Sequence, residues 1–286
     1  MASTAPIQSS MNSNAGWRAE LALRFEPRPD RTVVARRHHL GPLRIQRPFY
    51  PEDNGTCHIY LLHPPGGIVP GDNLHIELDV ARGANVLATS PGAAKFYRSH
   101  GPKQTQAIDL KVATGGFLEW FPQETIVFNG AHAFTDMNVE LEKGAGFIGW
   151  DIQCLGRPAS SDYFEQGIVG THLKLKKDGH LLNFERARFE GGSRVLQEPY
   201  GLGGYTVMGT FMAVGKPGTG IDSLRETISG LAGDYHFALT QMRGVLVARY
   251  LGHHGWQARE LFTRVWTEVR PELAGRSAVI PRIWNT

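Results

Sequence analysis

The chain holds only two cysteines, Cys57 and Cys154, among 286 residues. Two thiols cannot build a disulfide framework, and such sparing use fits a reducing compartment. No apolar run approaches the ~18 residues of a membrane-spanning helix. Neither sign of charge dominates, since 30 Lys and Arg face 27 Asp and Glu for a formal +3. Nucleic-acid binding needs a concentrated basic face, which this balance does not supply. Catalytic signatures are missing as well: no Gly-x-Ser-x-Gly elbow, P-loop, His-Glu-x-x-His or Cys-x-x-Cys occurs. Gly201-Leu202-Gly203-Gly204 has neither the spacing nor the following helix of a dinucleotide loop. Residues 1–15 are polar, lack the charged-then-apolar order of an export signal, and read as a disordered lead. A cytoplasmic protein without turnover of its own is the expectation.

Glycine is what the chain has in excess: 34 residues, about 12% against a usual ~7%. Tight turns between short strands use glycine in this way. Three runs alternate with period two and so carry one apolar and one polar face. They are Leu74, Ile76, Leu78 and Val80; Ile108, Leu110 and Val112; and Met137, Val139 and Leu141. Each leads into a glycine turn, at Gly83, Gly115 and Gly144, and then into a second apolar stretch. The turn glycines stand 32 and 29 positions apart. A period near 30 predicts stacked strand units, as in a β-solenoid, the plainer alternative being three hairpins of a sandwich. Lys177-Asp178-Gly179 predicts a further hairpin.

The last third reads differently. From about residue 221, a helix capped by Asp222 or Ser223 carries Leu224, Ile228 and Leu231, stopped by Gly233. A strand around Val245 and Val247 follows. Trp256 to Val269 then shows helical spacing at Leu261, Phe262, Val265, Trp266 and Val269, with Pro271 as its expected end. The predicted fold is mainly β, a β-helix-like stack of short strands with two C-terminal α-helices. It forms one domain over 16–286, with no composition-poor linker at 221.

Twelve histidines invite a metal reading, but His38-His39 and His253-His254 are adjacent pairs, whose side chains diverge on an extended strand. Acids beside apolar runs are better candidates. Asp72 follows Ile68-Val69-Pro70-Gly71, Asp151 follows Phe147 to Trp150, and Glu185 follows Leu181 to Phe184. A half-buried carboxylate is costly unless paired or close to a cation. Arg186 or Arg188 could simply neutralise Glu185, and Asp72 could cap a turn. Oxygen ligands without thiolates hold a divalent ion loosely, which suits passage over storage.

Cys57 to Val69, with its His63-Pro64-Pro65-Gly66-Gly67 core, resembles the urease accessory protein UreD family, also called UreH. The resemblance extends through Gly41-Pro42-Leu43, Gln46 to Glu52, Pro91 to Ser99, Gly149-Trp150-Asp151, Cys154 to Pro158 and Pro281-Arg282-Ile283-Trp284. Pro70 departs from the glycine that the family commonly shows there, which stiffens the local turn. The resemblance implies a scaffold rather than an enzyme. Its implied partners are apo-urease, UreF and, through UreF, UreG, in a dimer of accessory complexes, with neither nucleic acid nor membrane. It implies no tightly bound cofactor but nickel in transit, through a passage lined by Asp72, Asp151 and Glu185. Two other readings stand beside it: a β-helical carbohydrate-active enzyme using paired carboxylates, and a structural partner protein without metal transfer.

Overall fold

The computed structural model describes residues 16–214, 221–229 and 233–285. The N-terminal lead and Leu231 lie outside them. The three alternating runs form Asn73–Val80, Gln104–Val112 and His132–Leu141, which lie side by side in parallel, Ile76 level with Ile108 and Ile108 with Met137. After each run the chain turns at Gly83, Gly115 or Gly144, with φ of 71°, 68° and 76°. A β-carbon would be strained at those angles. The second stretches, Asn85–Thr89, Phe117–Phe121 and Gly146–Leu155, stack in parallel as an opposite wall. Ala94–Phe96 and Thr125–Val127 pair as a short third wall that continues onto Gln153–Leu155. Each coil of about 30 residues thus lands on the one before it, so the repeat is a β-solenoid. Parallel ladders between successive coils exclude the three-hairpin sandwich, whose neighbours would run antiparallel.

The two walls grow into large sheets. The seven-stranded sheet runs His180–Glu190, Ile168–Lys177, His132–Leu141, Gln104–Val112, Asn73–Val80, Arg18–Pro27, Thr32–Leu40. Its antiparallel end strands close the stack, one through the expected hairpin at Asp178 (φ 50°) and Gly179 (φ 77°). The other sheet continues from Gly146–Leu155 to Val207–Val214, Val245–Gly252 and Tyr235–Met242, all antiparallel. The helix-bearing part of the chain is therefore hydrogen-bonded into the solenoid wall.

Two longer helices, Ile221–Ser229 and Gly255–Ala274, and a single turn, Arg194–Gln197, complete the described elements of this kind. The sequence gives no strong signal for that single turn. Pro271 does not end the last helix, contrary to expectation. Proline removes one N–H, but its φ is helical, so one more turn forms. The stop falls at Gly275 (φ 68°), whose N–H donates to the Pro271 carbonyl at 3.0 Å.

The Phe117–Phe121 strand is buried on both faces. Leu118 and Trp120 join the core between the sheets, while Phe117 and Phe121 join a second core under the last helix. Phe262 and Trp266, which as apolar residues of an amphipathic helix could have anchored a partner, belong to that second core and are fully buried. Trp256, in the first turn of the same helix, is 56% exposed.

Candidate functional site

Two cavities open between the sheets. One of about 520 Å³ is lined by His63, Pro64, Gly67, Pro91 and Lys95. The other, about 830 Å³, lies at the far end of the stack beside Glu185, His236 and Arg249. Ile108, Thr135 and Asp151 line both of them.

Both cavities lie along a break in the apolar pattern. Inward positions of the seven-stranded sheet are mostly aliphatic, yet Gln106, Thr135 and Thr171 stand level on three adjacent strands. Across the gap, Asp151, Thr210 and Arg249 stand level on three adjacent strands of the other sheet. Residues paired across strands share a face, so each trio is one polar row. Period two on Gly146–Leu155 explains the placement of Asp151. Trp150 and Ile152 face the last helix, and Asp151 and Gln153 face the cavities.

Asp151 is half-buried and lines both cavities. Burial pushes its carboxyl up to about 6. Two hydrogen bonds from the Gln153 amide, at 2.9 and 3.0 Å, oppose that rise, and the Glu185 charge adds to it. Glu185 belongs to the opposite sheet, level with buried Leu173. Its carboxylate accepts from Arg249 Nη2 at 2.7 Å and Nη1 at 3.1 Å, from Thr210 Oγ1 at 3.1 Å and from Asn183 Nδ2 at 3.1 Å. The neutralising arginine is thus Arg249, 64 positions away, and neither Arg186 nor Arg188.

Asp72 is not brought to this site. Its carboxylate accepts the N–H groups of Trp17 (2.7 Å) and Val69 (3.0 Å). Its own N–H donates to the Val69 carbonyl at 3.1 Å. With Pro70 second and Gly71 third at φ 89°, Val69–Asp72 has the form of a type II turn. That geometry accommodates Pro70 without strain. The Asp72 charge still reaches His63 on the first cavity's wall, where burial lowers the imidazole pKa and Asp72 opposes the shift.

Among the described residues, no three His, Cys, Asp or Glu side chains are grouped to hold a metal ion. Burial pushes the thiols of Cys57 and Cys154 up to about 12, so neither offers a thiolate near neutral pH. Gln106, Thr135, Thr171, Thr210 and Arg249 escaped sequence reasoning. The first three carried a signal, because each is a polar residue at an inward position of an alternating strand.

A second polar cluster lies behind the wall, beneath the last helix. Arg270, fully buried, donates Nε to Glu119 Oε1 at 2.8 Å and Nη2 to Glu119 Oε2 and Glu52 Oε1, each at 2.7 Å. Trp266 Nε1 donates to Glu119 at 2.6 Å, and His58 Nε2 lies 2.6 Å from Glu52. The cluster ties three distant stretches of chain together without touching either cavity. Burial alone would raise the Glu52 pKa. Hydrogen bonds from His58 and Arg270, the Arg270 charge and Asn54 outweigh burial and hold it at about 2, below the ordinary 4.5. Glu52 therefore stabilises the fold fully above pH 4.5, and that contribution disappears as pH falls toward 2. Replacing Glu52→Gln should flatten the pH dependence of urea midpoints across this window. Parallel curves for parent and variant would contradict the assignment.

The fold is a β-solenoid, and Asp151 lines both cavities between its walls. The family model described as UreD urease accessory protein matches residues 18–285. The urease accessory protein UreD of Janthinobacterium sp. (strain Marseille) is 44% identical over 281 residues, covering 98% of this chain and 95% of that protein. That of Dechloromonas aromatica (strain RCB) is 41% identical over the whole of both chains. That of Pseudomonas fluorescens (strain Pf0-1) is 45% identical, covering 94% and 95%. The chain belongs to the UreD urease accessory protein family. These relatives are accessory proteins by name, so the match lends no support to the carbohydrate-active reading.

Proposed function

We propose that this chain is a cytoplasmic urease maturation factor that acts without turnover of its own. It binds apo-urease, recruits UreF and, through UreF, UreG, and passes nickel between its sheets to the urease active site. Two such accessory complexes pair as a dimer. The observation that supports this reading best is the polar row through an otherwise apolar interior, with Asp151 lining both cavities. A bare divalent ion in such an interior would be prohibitively costly. Carboxylates, hydroxyls and water lower that cost, and scattered oxygen ligands release a divalent ion as readily as they take it. No cofactor stays tightly bound, and nickel is cargo. Asp151 and Glu185 line the route, while Asp72 holds the turn beside its first mouth. Exposed Trp256, stacked on His254, is offered as part of the UreF surface.

The test is an amide series with nickel per urease active site as the readout. Asp151→Asn and Glu185→Gln should each lower nickel several-fold while the complexes still assemble, with the double variant lower again. Asp72→Asn should affect thermal stability more than nickel delivery. A double variant that matures urease as fully as the parent would refute the passage and leave a structural partner protein.

A further inference from the structure

The ion pair at the far mouth joins the two sheets. Glu185 comes from the edge strand of the seven-stranded sheet and Arg249 from the Val245–Gly252 strand of the other. They meet through two hydrogen bonds on the wall of the larger cavity. The pair sits at the rim, its Arg249 side chain 57% and its Glu185 side chain 21% exposed. Thr210, between Asp151 and Arg249 in the polar row, also donates to Glu185. Arg186 lines the same cavity, and among the described residues no carboxylate is paired with it.

We propose that Arg249 is the resident counter-cation of this mouth, which an incoming divalent ion must displace from Glu185. Each Glu185 oxygen accepts one bond from the guanidinium and a second from Asn183 or Thr210, so all of its lone pairs are engaged while the fork is in place. The exchange needs no change in backbone, because Arg249 is long, half in solvent and free to swing outward. Its departure exposes Glu185 opposite Asp151 and opens the strap between the sheets. Arg249 therefore sets how weakly the mouth holds a divalent ion, and it keeps stray cations out of the idle protein. The inference rests on the passage reading and adds a selectivity residue to it.

Nickel(II) binding by the full-length protein, measured by equilibrium dialysis, tests it. Arg249→Gln should tighten binding about tenfold, the order expected from removing one positive charge near a partly solvated site. Arg249→Lys should stay close to the parent. Arg249→Gln combined with Glu185→Gln should lose the gain, and Arg186→Gln should gain little. Unchanged binding in Arg249→Gln would overturn the proposal. So would a gain that survives Glu185→Gln, or an equal gain in Arg186→Gln, which would mark a general charge effect. The two readings fail separately. Fully nickel-loaded urease from Asp151→Asn would refute the passage yet leave competition at Glu185 standing, whereas flat binding in Arg249→Gln would refute the counter-cation alone.

Discussion

Thr135→Trp should leave the fold intact and the urease nearly without nickel. Thr135 is part of the wall that the two cavities share, on the sheet facing that of Asp151 and level with Gln106. An indole placed there enters space that is already open, so it escapes the usual cost of overfilling a packed core. It would close that space with apolar surface and cut the polar row between Gln106 and Thr171. An ion crossing that point would then lose its oxygen ligands and its water together. Thr135→Val keeps the size and removes only the hydroxyl, so it should deliver most of the parent's nickel. Metal analysis of purified urease reads the difference. Parent-like nickel from a folded Thr135→Trp protein would mean that the ion does not pass this point.

The largest stability loss is expected at Arg270, far from the route. Arg270→Ala removes the cation hydrogen-bonded to both Glu119 and Glu52, which are buried under the last helix, and leaves them only the longer contacts of Arg276 at 3.6 and 3.8 Å. Breaking a buried pair from one side costs about 3–5 kcal/mol, because a buried carboxylate loses its close partner. Domains are commonly stable by only about 5–15 kcal/mol. The unfolding midpoint should therefore drop by roughly 10 °C. The distinguishing variant is Glu119→Leu with Arg270→Met, which removes one charge of each sign and leaves Glu52 with His58 and Arg276. It should recover much of the loss, since well-packed apolar groups replace buried pairs at little cost. A shift of Arg270→Ala by under about 2 °C would show that the cluster is not what fastens the helix to the solenoid.

Much of this molecule was legible beforehand, and the reason is local. Period-two patterns and turn glycines fix strand faces and turn positions within a few residues, so the three coils and their spacing could be read directly. The last helix was visible in its apolar spacing, while its true end was not, because Pro271 forbids one hydrogen bond rather than the helix itself. Asp151 and Glu185 stood out as acids beside apolar runs. Asp72 stood out for the same reason, yet it serves a turn, since the pattern detects burial and not what the carboxylate meets. Arg249 and Arg270 depend on contacts 64 and 151 positions away in sequence, which no local pattern reports. Glu119 left a trace that could have been followed: it is the one charge within Phe117-Leu118-Glu119-Trp120-Phe121, a strand too apolar to expose it.

The central claim is that nickel reaches urease inside this protein rather than through bulk solvent. The most direct measurement adds a strong soluble chelator, in excess over nickel, to a reconstituted activation with nickel preloaded on the accessory partners. Sheltered transfer predicts that urease still gains nickel with the parent protein and gains almost none with Thr135→Trp. Equal loss of nickel with parent and variant, as soon as chelator is present, would contradict it.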